Sequence, residues 1–200
     1  MAASSTGLRL VHSSAGDVPG DGALCRAFLA GDERAFGELV RRHQELLLRV
    51  LRRYASSPDE TRDLVQRAFL QAFQAARRAL PRLAKEGDVP FKPWLLRIAI
   101  NLGKNHLRDT SRWTTVPVDA AEGRRAEGGA QEALERAEQE AAVRRAVLLL
   151  PRRQRDVFTL RIDGGLPFAE VAQALGITEG NAKTHFHHAV KRLKEETRKS

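Results

Sequence analysis

The chain has 200 residues, 42% of them apolar and 30% charged, with a formal net charge of +9. These values describe a soluble globular protein of one or two small domains, and no stretch approaches the ~20 apolar residues that a bilayer-spanning helix needs. Cys25 is the only cysteine, which excludes an intramolecular disulfide and a cysteine-based zinc site and fits a reducing, cytoplasmic location.

Residues 1–23 are rich in Ser, Gly and Ala and lack the cationic start and continuous apolar segment of a signal peptide. They read as a disordered leader. Asp32 opens the first well-marked helix, with Glu33 in its first turn and Phe36, Leu39 and Val40 on the apolar side, continued by Leu46, Leu47, Val50 and Leu51. Ser57, Pro58 and Glu60 supply a cap, a first-turn proline and a capping-box acid for the next helix. Over Asp59 to Phe73 that helix places Leu64, Ala68, Ala72 and either Phe69 or Phe73 on its core face. Pro81, Gly87 and Pro90 then mark a loop over residues 82–90.

The segment Phe91 to Asp109 is again helical, with Trp94, Leu95, Ile98, Ala99 and Leu102 toward a core. Arg97, Asn101, Lys104 and Arg108, at offsets of 0, 4, 7 and 11, share another face. A polar and cationic stripe of this kind follows a phosphate backbone, although the solvated outer face of a small bundle has the same pattern. After Trp113 the apolar rhythm is lost among Pro117, Gly123, Gly128 and Gly129, so residues 113–137 read as a flexible linker. Helical character resumes near Gln131, runs to Leu150, restarts after Pro151 with Val157, Phe158, Leu160 and Ile162, and turns at Gly164 and Gly165.

Pro167 to Leu193 has the form of a helix-turn-helix. Val171, Ala172 and Leu175 form the apolar side of its first helix, and Gly176 supplies a left-handed turn. Ile177 anchors the corner, Thr178 caps the second helix, and Ala182, Phe186, Ala189 and Leu193 line the second helix's core side. Asn181, Lys183, Thr184, His187, His188 and Lys191 are left outward, a donor-rich face suited to the major groove of duplex DNA. An ordinary helical hairpin with a solvated polar face is the plainer alternative.

Charge follows the same division. Residues 41–112 hold 16 Lys/Arg against 7 Asp/Glu and residues 141–200 hold 12 against 6, whereas residues 113–140 hold 3 against 7. Two basic modules with an acidic spacer suggest two contacts with one polyanion. No alternating run reads as a strand, so the expected fold is all-α, with two small helical domains joined by the linker.

Enzyme chemistry is poorly supported. The chain has no Gly-rich phosphate loop, nucleophile elbow, HExxH or paired-carboxylate spacing, so no catalytic residue and no cofactor is expected. His185, His187 and His188 lack a neighbouring Cys, Asp or Glu to complete a metal ligand set within the motif, so no metal is expected either. Trp94 is better read as core than as a base-stacking platform, and Cys25 as a small buried hydrophobe.

Two strings carry a family likeness. Asp63, Leu64, Val65, Gln66 and Phe69 form D-L-V-Q-x-x-F, and Trp94, Leu95, Arg97, Ile98, Ala99 and Asn101 form W-L-x-R-I-A-x-N. Followed by the helix-turn-helix, they resemble bacterial sigma-70 family factors of the extracytoplasmic-function group, over about residues 24–112 and 138–196. The resemblance implies a region 2-like domain at 24–112, a flexible acidic linker at 113–137 and a region 4-like domain at 138–200.

It further implies that Asp63, Leu64, Val65, Gln66 and Phe69 dock on the clamp helices of the largest subunit of core RNA polymerase, the flap being a second polymerase contact. Arg97, Asn101, Lys104 and Arg108 would hold the minus-10 promoter element, single-stranded once melted, with loop 82–90 capturing an extruded base. Thr178, Gly180, Asn181, Lys183, Thr184, His187, His188 and Lys191 would contact the duplex minus-35 element. An anti-sigma factor that masks these faces is the remaining implied partner, and catalysis belongs to the polymerase.

The chain departs from the family's habit at several positions. Arg67 stands where an acid is common, Asn105 where an aspartate is frequent, Pro167 where a hydroxyl cap is usual, and His185 and His188 where arginines are common. Two other readings remain beside this one: a stand-alone dimeric helix-turn-helix regulator, which leaves the N-terminal helices unexplained, and a basic adaptor for acidic proteins.

Imidazoles exchange their proton near pH ~6.5 in water, so histidines in place of arginines make phosphate binding pH-dependent. Promoter DNA is expected to bind more tightly at about pH 6 than at about pH 8, with a smaller difference in a His188→Ala variant. Equal binding of the unaltered chain at both pH values, measured by fluorescence anisotropy, would count against a phosphate role for these imidazoles.

Overall fold

The structure, a computed structural model, describes residues 19–83, 89–113 and 142–198, and is helical with no strand among them. The first helix, α1 (Asp21–Leu29), begins inside the stretch expected to be a disordered leader. It exists because α2 (Glu33–Leu51) gives its apolar side something to cover: Leu24, Cys25 and Phe28 are all buried. Asp21 ties the two helices together, accepting a hydrogen bond from His43 Nε2 at 2.6 Å with Arg42 beside it. The bond from His43, ahead of its other neighbours, holds the Asp21 carboxyl below its ordinary value. Gly31, at φ 107°, makes the reversal between the helices, and Asp32 caps α2 by accepting from Arg34 N at 3.0 Å.

A short 3-10 turn, Arg52–Tyr54, leads into α3 (Pro58–Leu83). Its cap is the expected one with a shift in partner. Ser57 Oγ accepts from Glu60 N at 3.1 Å, while the Glu60 carboxylate accepts from Ser56 N at 2.7 Å and from Ser56 Oγ at 2.6 Å. The helix runs ten residues beyond Phe73 and carries Pro81 in its last turn, so Arg82 is helical rather than part of a loop. Buried Ala76 and Leu80 account for the extension by continuing the core face. Residues 84–88, the middle of that expected loop, lie outside the described residues, as do residues 114–141 of the linker and the start of the following helix.

The N-terminal core is aromatic. Phe28, Phe36 and Phe73 meet in a triangle with ring centroids 5.1 to 5.4 Å apart, and Phe91 extends it at 6.2 Å from Phe36. Phe91 begins α4 (Phe91–Trp113), which lies at the centre of the molecule. Leu95, Ala99 and Leu102 are buried as expected, Trp94 and Ile98 are half-buried, and Leu96 and Ile100 are buried as well. The extra burial arises because α4 has neighbours on two sides, α2 and α3 on one and the C-terminal helices on the other.

Those helices are α5, described over residues 142–148, α6 (Arg152–Ile162), α7 (Phe168–Leu175) and α8 (Glu179–Thr197). Gly176, at φ 65°, ends α7 as its left-handed cap, and Thr178 Oγ1 accepts from Asn181 N at 3.2 Å to start α8. Ala174 takes the deeply buried place on α7, and Leu175 is half-buried. Phe186 joins α8 to its neighbours, 6.1 Å from Phe158 and 5.5 Å from Phe168. Val157, Leu160, Leu166, Val171 and Ala174 form one apolar cluster with the core of α1 to α4, so the two helical halves share an interior.

Gly103 sets how closely α4 approaches the end of α2. A Cβ there would lie 2.5 Å from Tyr54 Cγ, and Tyr54 is fully buried. In an open helix interior, Gly to Ala gains up to about 1 kcal/mol, whereas forcing an atom into a packed core costs about 1–3 kcal/mol. Gly103→Ala is therefore expected to lower the thermal unfolding midpoint; a raised midpoint would show that Tyr54 yields.

Candidate nucleic-acid interface

The recognition surface is built by the turn before α8. With Gly176 reversing the chain and Thr178 fixing the first turn, Ala182 and Ala189 face inward and are fully buried. Asn181, Lys183, Thr184, His187, His188 and Lys191 are all exposed, and Thr178 and Gly180 at the helix start are exposed beside them. No atom lies within 4 Å of where a Gly180 side chain would begin, so backbone can approach there. Thr184 Oγ1 donates back to Gly180 O at 3.0 Å, which leaves its lone pairs facing out. Lys183 is paired with Glu179 at 2.8 Å on the exposed surface, a contact of small energetic weight. The rings of His187 and His188 stand 6.1 Å apart, while His185 is half-buried.

The second stripe has a different setting. Arg97 reaches across to the carboxyl end of α7, donating from Nε to Ala174 O and from Nη2 to Gln173 O, both at 3.1 Å. A cation at the negative end of a helix dipole is well placed. Lys104 pairs with Asp156 Oδ2 of α6 at 3.2 Å, and Tyr54 Oη donates to Asp156 Oδ1 at 3.2 Å. Burial pushes the Asp156 carboxyl above its ordinary value, and the Lys104 ammonium opposes that shift. Burial likewise pushes the Tyr54 phenol well up, with the Asp156 charge adding to it, so the phenol stays protonated and donates.

Asn101 lines a cleft of about 440 Å³ between the halves, together with Arg97, Lys104, Arg152 and Arg153. Asp156 is the single carboxylate among the lining residues. Arg108, the last member of the stripe, is exposed beside Asp109. Thus Arg97, Asn101 and Lys104 stand on the side of α4 toward the C-terminal helices, Lys104 half-buried and Arg97 and Asn101 still exposed to solvent.

The D-L-V-Q-x-x-F string divides by exposure. Leu64, Val65 and Phe69 are buried in the core, whereas Asp63 and Gln66 lie on the surface of α3. Arg67, 3.5 Å from Asp63, and Leu70, 56% exposed, complete that face. Sequence reasoning missed Leu70, although its place one turn after Gln66 and off the core positions was a usable signal. Arg53, Tyr54, Asp156 and Asp163 were also missed, and no local pattern announces pairs separated by more than 100 residues. Among the described residues no three His, Cys, Asp or Glu converge as a metal site. No helix among those residues is long and apolar enough to cross a membrane.

Comparison with known proteins agrees with this anatomy. Residues 39–113 match the family description "Sigma-70 region 2" and residues 140–193 match "Sigma-70, region 4". The chain is 32% identical over 180 residues to the RNA polymerase sigma-H factor of Pseudomonas aeruginosa, covering 84% of this chain and 89% of that one. It is 33% identical over 178 residues to the ECF RNA polymerase sigma-E factor of Escherichia coli, covering 84% and 90%. A solved structure of CnrH in complex with the cytosolic domain of CnrY matches with a TM-score of 0.65 and 25% identity, over 90% of this chain and 98% of that one. With both signature regions in order and relatives matched over nearly their whole length, the chain belongs to the sigma-70 family of RNA polymerase sigma factors, in its extracytoplasmic-function group.

Proposed function

We propose that this sigma factor divides transcription initiation among three faces. The face of α3 bearing Asp63 and Gln66, with Arg67 and Leu70, docks on the clamp helices of core RNA polymerase, while buried Leu64, Val65 and Phe69 hold that face in shape. Arg97, Asn101, Lys104 and Arg108 on α4 take the minus-10 element and keep its strand unpaired. The exposed side of α8 reads the minus-35 duplex: Asn181 and Thr184 meet base edges, and Lys183, His187, His188 and Lys191, with the backbone near Thr178 and Gly180, meet phosphates.

The observation that carries this reading is the outward face of a capped α8, which keeps six donor-bearing side chains exposed opposite the buried Ala182 and Ala189. The chain itself catalyses nothing and works in the cytoplasm beside the polymerase. CnrH, the structural neighbour, was solved with a second protein, and a comparable regulatory partner, an anti-sigma factor, is proposed here.

Run-off transcription with core enzyme and a promoter library tests docking, melting and specificity together; failure to start transcripts at any promoter would end the reading. Leu70→Asp is expected to weaken core binding at least about tenfold, with unchanged thermal stability because the side chain already meets water. Lys191→Ala should weaken promoters of all sequences and flatten their salt dependence, whereas Asn181→Ala should change promoter preference. If both α8 variants affect all promoters alike, the division of labour on α8 is wrong.

A further inference from the structure

We infer that the cleft between α4 and the start of α6 is a binding site for a condensed phosphate, supplied either as the tail of a nucleoside polyphosphate or as an inorganic polyphosphate chain. The site stands without the assignment of α4 to the minus-10 strand. One consequence of it, competition with that strand, rests on that reading.

Along the rest of the seam where α2 and α4 meet the C-terminal helices, cations meet carboxylates. Arg53 grips Asp163 through two bonds of 2.8 Å, with side chains only 13% and 9% exposed, and Lys92 Nζ lies 2.6 Å from Glu170 Oε2. The cleft departs from that pattern. Arg97, Lys104, Arg152 and Arg153 line it with Asp156 as the single carboxylate. Asp156 is 1% exposed, and its two oxygens are already engaged by Lys104 and by Tyr54. The three guanidinium groups are left with backbone carbonyls at most. Arg97 donates to Gln173 O and Ala174 O, and Arg153 Nη1 donates to Leu175 O at 3.4 Å. The Arg152 side chain is exposed and makes no hydrogen bond or ion pair among the described residues. The carboxyl end of a helix supplies about half a negative charge, well short of what three guanidinium groups carry.

Charge of one sign in a concave site focuses the field there and draws in an anion of high charge density. Guanidinium forks match phosphate oxygens two at a time. A chain of two or three phosphates carries about three or four negative charges near neutral pH, which a single phosphate does not reach. The volume of about 440 Å³ lies within the range of about 300–1,000 Å³ that small-molecule sites occupy. Asn101 adds an amide donor, and Ile100 with Leu175 gives an apolar margin for a nucleoside. An anion held there touches Arg97, Asn101 and Lys104, so it and a single strand exclude each other from that side of α4.

Isothermal titration of the full chain with orthophosphate, inorganic tripolyphosphate, AMP and ATP at one ionic strength tests the site. Tripolyphosphate should occupy one site per chain and bind at least about tenfold more tightly than orthophosphate, equivalent to about 1.4 kcal/mol. ATP binding more tightly than tripolyphosphate identifies a nucleoside polyphosphate as the ligand; ATP binding no more tightly identifies the inorganic chain. AMP binding as tightly as ATP would overturn the need for a condensed phosphate. Arg152→Glu with Arg153→Glu should remove the binding, whereas Arg152→Lys with Arg153→Lys should retain it. Arg26→Glu with Arg78→Glu, an equal loss of charge at exposed positions outside the cleft, should leave it in place. No saturable binding, or the same loss in both glutamate pairs with thermal midpoints unchanged, would overturn the site. Saturating tripolyphosphate should also displace a labelled single-stranded oligonucleotide of mixed sequence. If it binds and leaves the strand in place, the assignment of α4 to the minus-10 strand falls and the anion site stands.

Discussion

A carboxylate with almost no access to water must find its partners inside the protein, and Asp156 finds both of them on the other half of the chain. Its position on α6 therefore specifies where the C-terminal helices sit: close enough for Lys104 of α4 and the phenol of Tyr54 to reach the two carboxylate oxygens. The rest of the seam follows from that registration. Arg97 meets the end of α7, Arg53 meets Asp163, and the apolar residues between them join a single interior. Lys104 supplies charge, Tyr54 supplies a neutral donor, and neither alone would satisfy both oxygens.

Much of the local architecture was legible from the residues. Ser57 with Glu60, Asp32, Gly176 and Thr178 announce helix ends because capping is a matter of neighbours within four positions, and the structure has a cap or turn at each. The outward face of α8 was legible for the same reason: helical periodicity alone separates Ala182 and Ala189 from Asn181, Lys183 and Thr184. What the pattern did not give is equally instructive. The helix α1 is short and is held by Phe28 and Asp21 against partners on α2 and α3, so nothing within it marks it strongly. Burial of Leu96 and Ile100 requires a second neighbour for α4, and that neighbour comes from more than 50 residues away in the chain.

The D-L-V-Q-x-x-F string of α3 illustrates why a motif is not a surface. Of its five residues three are inside, where they pack α3 against the aromatic and aliphatic core, and only Asp63 and Gln66 can meet another molecule. A family signature read along the sequence thus mixes residues that shape a helix with residues that touch a partner, and burial is what separates them. The exposed neighbours Arg67 and Leu70 belong to the same surface although the string does not name them. Arg67 gives that surface a positive charge beside Asp63, so its electrostatic character is mixed rather than uniformly acidic.

The length of α8 has an evolutionary consequence. Nineteen residues span about 28 Å at 1.5 Å each, more than twice the ~12 Å width of a major groove. On the proposed reading of α8, only its opening turns would fit among base edges, and the later ones, with Lys191, would lie over the flanking sugar-phosphate rails. On that reading a regulon would be rewired by substitutions in the first two turns after Thr178, while the grip supplied further along is inherited intact.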